Sequence, residues 1–309
     1  MMPMSEMTGK PNRPWKMILP LAGFVLLFAI WSVYWFFANS AAQAFVARER
    51  EKLARQGANL ACDEESWGGF PFRFEFSCKN PVVTLAEGRT LRSGTLLVVA
   101  QAYNPTHIIA LLDGPTHVRL LQHAAEVINH ERLIASAKFR SSAQPQISVA
   151  VKNIVHQTWG QVKALQVDTR PASAMPNEFS IALDGVNVAP PDKPPIVLDS
   201  AHVTGTFASE QDIAVTAIAT AKADITLNGR GHVSLDPQRR VTGQFTLETN
   251  DLKGVMAELD PHIHMSDETR AGVGAMLAFM GKKAKVKLSA QDGQLFIGPL
   301  KIGELLPVY

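Results

Sequence analysis

From Ala223 to Leu235 the chain alternates without a break. Ala223, Ile225, Leu227, Gly229, Gly231, Val233 and Leu235 alternate with Asp224, Thr226, Asn228, Arg230, His232 and Ser234. A period of two sends successive side chains to opposite faces of a strand. At about 3.3 Å per residue this stretch would extend about 43 Å. "DPQRR" then turns the chain, and Val241, Gly243, Phe245 and Leu247 alternate with Thr242, Gln244, Thr246 and Glu248. The pattern predicts a long antiparallel hairpin that is apolar on one face only. Weaker alternation marks 133–139, 147–155, 179–187 and 196–207. The expected fold class is therefore mainly β (α+β), with long, curled antiparallel sheet and a few covering helices.

The helices are few. Residues 40–57 read as helical, with Ala41, Ala44, Phe45 and Leu53 apolar and Gly57 closing. Ser266 is placed as an N-cap, with Asp267 and Glu268 in the first turn. Val273, Met276, Leu277 and Met280 then share a face, and Gly281 ends the helix. A strand at 284–290, a "DGQ" turn and "LFIGPLKIG" follow. Two soluble helices cannot cover so long an apolar face. Either sheets cover each other, or part of the face is left for an apolar ligand. The wall of such a groove is expected at Ile225, Leu227, Val233, Phe245 and Leu247.

Residues 17–47 carry no charge, and "MILPLAGFVLLFAIWSVYWFF" is long enough to cross a bilayer. Trp15 on one side and Trp31, Tyr34 and Trp35 on the other resemble interfacial aromatic belts. The organisation expected is a cytoplasmic tail at 1–16, a transmembrane helix at 17–37, a helical stalk at 38–58 and a β-rich body at 59–309. "VAPPDKPP", 188–195, is either a rigid loop or a sub-boundary. A signal peptide cut near Ala42-Gln43-Ala44 is the alternative to an anchor, although its apolar core is usually shorter. Lys10, Arg13 and Lys16 lie on the short tail, whereas Arg48, Arg50 and Lys52 are mixed with Glu49 and Glu51. The tail is the better candidate for the inside.

The only two cysteines, Cys62 and Cys78, flank "SWGGFP" and the run Phe70, Phe72, Phe74, Phe76. The alternation predicts a strand with Phe70, Phe72, Phe74, Phe76 and Cys78 on one buried face. A hairpin there would bring the sulfurs together, and the disulfide requires an oxidising compartment. Two buried free thiols are the alternative. No CxxC is present, so neither a thioredoxin-like site nor a four-cysteine zinc site is expected.

The formal net charge is +2, and the tail alone accounts for it with three cations and one acid. No basic patch remains, so nucleic acid is not an expected partner. No P-loop, GxSxG, HExxH or GxGxxG after a strand occurs. His262 with His264, and His123 with Glu126 and His130, are the nearest approach to metal-ligand spacing, and surface histidines explain them better. Asp184, Asp199, Asp224 and Asp292 read as polar-face or turn residues, and "YNPTH", 103–107, as a turn. No catalytic residue, cofactor or metal is assigned.

The anchor followed by "GFPFRFEFSC", "AYNPTHIIALLDGP", "RLIASAKFR", "LDPQRRVTGQFTLETNDL" and "KVKLSAQDGQLFIGPLKIGELLP" resembles the domain of unknown function 2125 family of bacterial envelope proteins. The resemblance runs from about residue 18 onward. The ending is also similar to the tails of AsmA-like and YdgA-like envelope proteins, whose sheets are thought to form hydrophobic grooves. Neither likeness supplies a catalytic residue. The implied setting is the bacterial inner membrane, crossed once by 17–37, with most of the chain in the periplasm. The expected function is non-enzymatic binding of a lipid or acyl chain in a sheet groove. The alternative is an assembly factor with a sealed core that binds other envelope proteins.

Overall fold

The computed structural model describes residues 15–120, 125–140, 143–171, 177–190, 193–209, 212–236, 238–262, 265, 267–279 and 281–305. One helix, α1 (Trp15–Arg55), precedes the sheet. Ten strands make its first half: β1 (Asn59–Ala61), β2 (Glu64–Gly68), β3 (Arg73–Lys79), β4 (Val82–Thr84), β5 (Thr90–Arg92), β6 (Thr95–Gln101), β7 (Asn104–Leu112), β8 (Thr116–Arg119), β9 (Glu126–Asn129) and β10 (Leu133–Arg140). The longer β11 (Ala143–His156), β12 (Gly160–Arg170), β13 (Asn177–Val188), β14 (Ile196–Ser209), β15 (Asp212–Lys222), β16 (Ile225–Leu235) and β17 (Val241–Thr249) follow as an up-and-down meander. Helices α2 (Leu252–Leu259) and α3 (Asp267–Phe279) precede β18 (Ala284–Gln291), β19 (Gln294–Ile297) and β20 (Leu300–Glu304). Among the described residues all twenty strands belong to one antiparallel sheet, which does not close on itself.

The sheet forks at β11. The first part of that strand pairs with β10, and its end, at Val155 and His156, pairs with β9. One arm runs β10–β7–β6–β3–β2 and the other β9–β8–β5–β4–β1. The arms are two halves of the same strands, each bent once: β3 into β4 at Asn80, β5 into β6 at Ser93-Gly94, β7 into β8 at Asp113-Gly114, and β9 into β10 at His130-Glu131. Asn80 has φ 47° and Asn153, in β11, φ 50°. Asparagine tolerates this left-handed region better than most side chains. The line continues through Gly185 in β13, at φ 56°. Backbone pairing crosses the bend intact, with Asn80 N donating to Gly94 O at 2.8 Å and Glu131 N to Lys152 O at 3.0 Å.

Polar side chains staple this crease. Ser93 Oγ donates to Asp113 O (2.8 Å) and shares a hydrogen bond with Thr116 Oγ1, which in turn shares one with His130 Nε2. Arg132 Nε donates to Asp113 Oδ1 at 2.6 Å. That hydrogen bond, with the charge of Asp113, holds the Arg132 guanidinium more firmly protonated than usual. Asn153 Nδ2 donates to Glu131 Oε1 at 2.6 Å.

The span and the stalk, expected as adjoining helical segments, run together as one helix, and neither Gly nor Pro interrupts 24–56. Sequence expectations and structure differ at two places. The aromatic strand starts at Arg73, so Phe70 and Phe72 sit in the preceding hairpin tip, exposed, while Phe74, Phe76 and Cys78 are buried. Ala223, at φ 48°, forms with Asp224 the turn before β16 and so lies outside that strand, its N–H held by Asp199 Oδ2 at 2.6 Å. Across the proline-rich stretch at 188–195, of which 191 and 192 lie outside the described residues, β13 and β14 pair directly, Val188 with Ile196. The placement of Ser266 and Met280 lies outside the described residues. Cys62 and Cys78 form a disulfide with a Cα–Cα distance of 5.4 Å.

The β16–β17 turn yields a prediction. Asp236 accepts from Gln238 N, Arg240 N and Arg240 Nε. The backbone hydrogen bond from Arg240 leads the causes that hold its carboxyl below the ordinary aspartate range. A depressed folded-state pKa contributes stability that is present above the unfolded value and lost as pH falls through the folded one. Carboxyl chemical shifts followed against pH should show Asp236 titrating below ordinary aspartate, and Arg240→Ala, which removes the guanidinium but keeps the backbone N–H, should return it only part of the way.

Candidate functional site: an apolar trough

Residues paired across a ladder point to the same face of a sheet. One row can thus be followed through the registers: Trp67, Phe76, Val98, Ala110, Ala135, Val149, Val167, Ile181, Val203, Ile218, Gly229, Leu247 and Val286. Every member is apolar or glycine. At about 4.8 Å between strands the row is roughly 55–60 Å long. A parallel row carries Val151, Leu165, Leu183, Ala201, Thr220 and Leu227. The opposite face of the meander is charged and polar: Lys163, Gln166, Asp184, His202, Asn228 and Arg230 are exposed.

The crease turns this apolar face inward. Between the two arms lies a cavity of about 500 Å³. Leu96, Leu112, Leu133 and Val151 line one wall, and Leu60, Val83, Leu91, Val118 and Ile128 the other. That volume falls within the usual range for small-molecule pockets, about 300–1,000 Å³. The polar staple Ser93–Thr116–His130 sits at the bend between the walls. Ser93 is buried, and its hydroxyl and that of Thr116 are engaged with one another.

Helices close both ends. At the far end α2 and α3 lie on β16 to β20, where Leu252, Met256, Val273, Ile297 and Ile302 make the largest buried cluster among the described residues. The Asp251 side chain caps α2 by accepting from Gly254 N at 3.1 Å. Smaller cavities of about 150 Å³ and 280 Å³ remain under and beside α2. At the near end α1 packs on the β2–β3 edge. Trp35 stacks on Phe74, with ring centroids 5.8 Å apart. Arg50 lies over the Phe76 ring and pairs with Glu65 at 2.8 Å.

The five residues expected to wall a groove all lie on this inner face, but under different cover. Leu227 and Leu247 line the smaller cavity beneath α2, and Ile225 and Leu227 the one beside it. Phe245 and Val233 are half-buried, nearer the hairpin tip. Gly231 stands opposite Phe245 because a Cβ there would come within 2.7 Å of the ring. The larger cavity lies elsewhere, in the crease of 60–154, and sequence alternation missed it. Its strands carry runs such as "TLLVVAQ" and "HIIALL", apolar at consecutive positions. The signal that could have located it is the spacing of "NP", "SG", "DGP" and "HER" at the centres of long β segments.

The histidine groups do not converge. His130 belongs to the staple, Glu126 faces His156 at 3.4 Å, and the carbonyl of His262 accepts from Lys193 Nζ. His123 and His264 lie outside the described residues. Among the described residues no three His, Cys, Asp or Glu side chains are placed to hold a metal ion. Asp292 pairs with Arg240 at 3.0 Å, and Tyr103 is exposed at the β6–β7 tip.

The model of a family described as "Uncharacterized protein conserved in bacteria (DUF2125)" matches residues 35–305. No curated protein and no solved structure matches the chain. The likeness of its ending to AsmA-like and YdgA-like tails has no counterpart among these matches.

Proposed function

Starting from a chain that belongs to the DUF2125 family of bacterial proteins, we propose that it is a membrane-anchored envelope protein whose trough binds the acyl chains of lipids. The observation that carries this reading is the continuous apolar row, most of whose members are only partly buried. A core that existed only for stability would be filled to crystal-like density. Here the two arms instead leave about 500 Å³ between apolar walls.

The anchor rests on α1, the one described helix long and apolar enough to cross a membrane. A signal sequence passes the same test of length and composition. Retention is supported by what α1 does for the body: Trp35 is 4% exposed, and with Phe74 and Ala102 it forms a buried cluster that cleavage near Ala42-Gln43-Ala44 would remove. The Cys62–Cys78 bond supports an oxidising compartment, which for this orientation is the periplasm.

Native mass spectrometry of the full chain, released from detergent or nanodiscs, is the test. Co-purifying phospholipid is expected. Leu112→Glu and Val118→Glu put a carboxylate on opposite walls and should each lower lipid occupancy about tenfold or more, a change of about 1.4 kcal/mol. Arg230→Glu, on the outer face, should leave it unchanged, with circular dichroism confirming that each variant folds. A wild-type chain free of lipid under every extraction would sink the lipid reading. The assembly-factor reading would then stand in its place.

A further inference from the structure

We propose that two adjacent hairpin tips of the sheet, residues 69–72 and 102–103, insert into the bilayer beside α1, so that the near end of the trough meets the membrane at acyl-chain depth, with Arg73 at the strand base paired to Glu75. The proposal rests on the reading of α1 as a membrane anchor. Phe70 carries the first argument. Its ring lies 6.1 Å from that of Phe28 and 5.6 Å from that of Phe36, both within the uncharged apolar segment. Phe28 precedes the end of that segment, Phe37, by nine residues, or about 13 Å of helix at 1.5 Å per residue. A helix that spans the bilayer with these residues therefore carries Phe70 below the membrane surface.

The second argument is independent of α1's depth. Backbone placed in hydrocarbon must have its polar groups satisfied within the protein. At these tips α1 supplies the donors. Trp31 Nε1 donates to Pro71 O at 2.8 Å, Tyr34 Oη to Ala102 O at 2.8 Å, and Trp35 Nε1 to Arg73 O at 2.9 Å. Ala102 N donates to Phe72 O at 2.8 Å and Arg73 N to Gly69 O at 3.0 Å. Water would serve these carbonyls equally well on an exposed tip, so three aromatic donors from one helix are more than a solvated turn needs.

Third, the tips present the side chains such a setting selects. Residues 69–72, 102 and 103 carry no charge. Phe72 and Tyr103 are 66% and 68% exposed. Exposed aromatics on two adjacent tips are costly in water and suit an interface.

The test uses the full chain in nanodiscs of phosphatidylethanolamine and phosphatidylglycerol. Both native cysteines are in the disulfide, so one introduced thiol can be labelled with the environment-sensitive fluorophore NBD. Labels would be placed at Phe72→Cys, Tyr103→Cys, Leu26→Cys within the span, and Gln238→Cys at a distant tip. The expected result is blue-shifted emission at 72 and 103, quenched by lipids with nitroxides on their acyl chains and shielded from aqueous iodide, as at 26. Position 238 should behave in the opposite way. If 26 is shielded while 72 and 103 are open to iodide and unquenched by lipid, tip insertion is overturned and the anchor stands. If 26 itself is open to iodide, the anchor reading fails and takes this proposal with it.

Discussion

Replacing Trp35 with alanine should undock α1 from the sheet, at a cost of about 3–5 kcal/mol, the usual range for truncating a buried tryptophan. Three contributions meet at this side chain. It is 4% exposed, so nearly all of its apolar surface is withdrawn from solvent. It stacks on Phe74 and makes edge contacts with Phe70 and Phe36, at 5.3 and 5.2 Å between centroids. Its indole N–H serves Arg73 O. Hydrogen exchange of the full chain in detergent should report the loss as faster exchange at 69–79 and 101–104, with the distant β13–β16 region unchanged. Trp35→Phe separates the parts, since it keeps most of the packing and should cost only the hydrogen bond, about 0.5–1.5 kcal/mol. Unchanged exchange in the alanine variant would mean that α1 does not hold the body, and a cleaved leader would regain its place.

Loss of the Cys62–Cys78 bond should have an effect of similar size. The two residues are 16 apart in sequence, and for a loop near that length the chain-entropy model gives about 3 kcal/mol. Cys78 is fully buried on β3, which pairs with β2 and β6, whereas Cys62 lies in the short link between β1 and β2. The bond therefore ties the outermost strands of both arms to the aromatic strand, close to the crease. The Cys62→Ala/Cys78→Ala variant should unfold at lower urea concentration than the oxidised protein, and reducing agent should bring the wild type to nearly the same midpoint. A double variant as stable as wild type would show that ladder pairing and α1 suffice at this edge. Differential alkylation of protein from its native membrane tests the compartment separately, since two free thiols there would count against the periplasm.

The two outcomes bear on one question, how the open end of a long sheet is held. The far end solves it with α2 and α3, whose apolar residues pack on β18 to β20. The near end uses a helix that reads as a membrane anchor, together with a covalent tie. Removing either support from the near end should loosen the cavity between the arms without touching the far cluster.

Much of the architecture could be read from residue order because it rests on local periodicity. The alternation of 225–235 and 241–247 set both the strands and their apolar face, since a period of two leaves no other face for Ile225, Leu227, Val233, Phe245 and Leu247. The uncharged run at 17–37, the α3 face at Val273, Met276 and Leu277, and the pairing of the only two cysteines were legible for the same reason. Each depends on residues close in sequence. The crease was not, because it arises from register between strands far apart. Asn80, Gly94, Asp113, Glu131 and Asn153 are unremarkable singly and form one line only when their strands are laid side by side. The contacts of α1 with 69–73 and 102 were equally hidden, because nothing in an aromatic-rich span says which carbonyls its indoles will reach. Residue order thus determined that there would be a long apolar face. Tertiary structure decided that this face folds along a diagonal into a trough, because the bend appears only where pairing stacks each strand's own irregularity against its neighbour's.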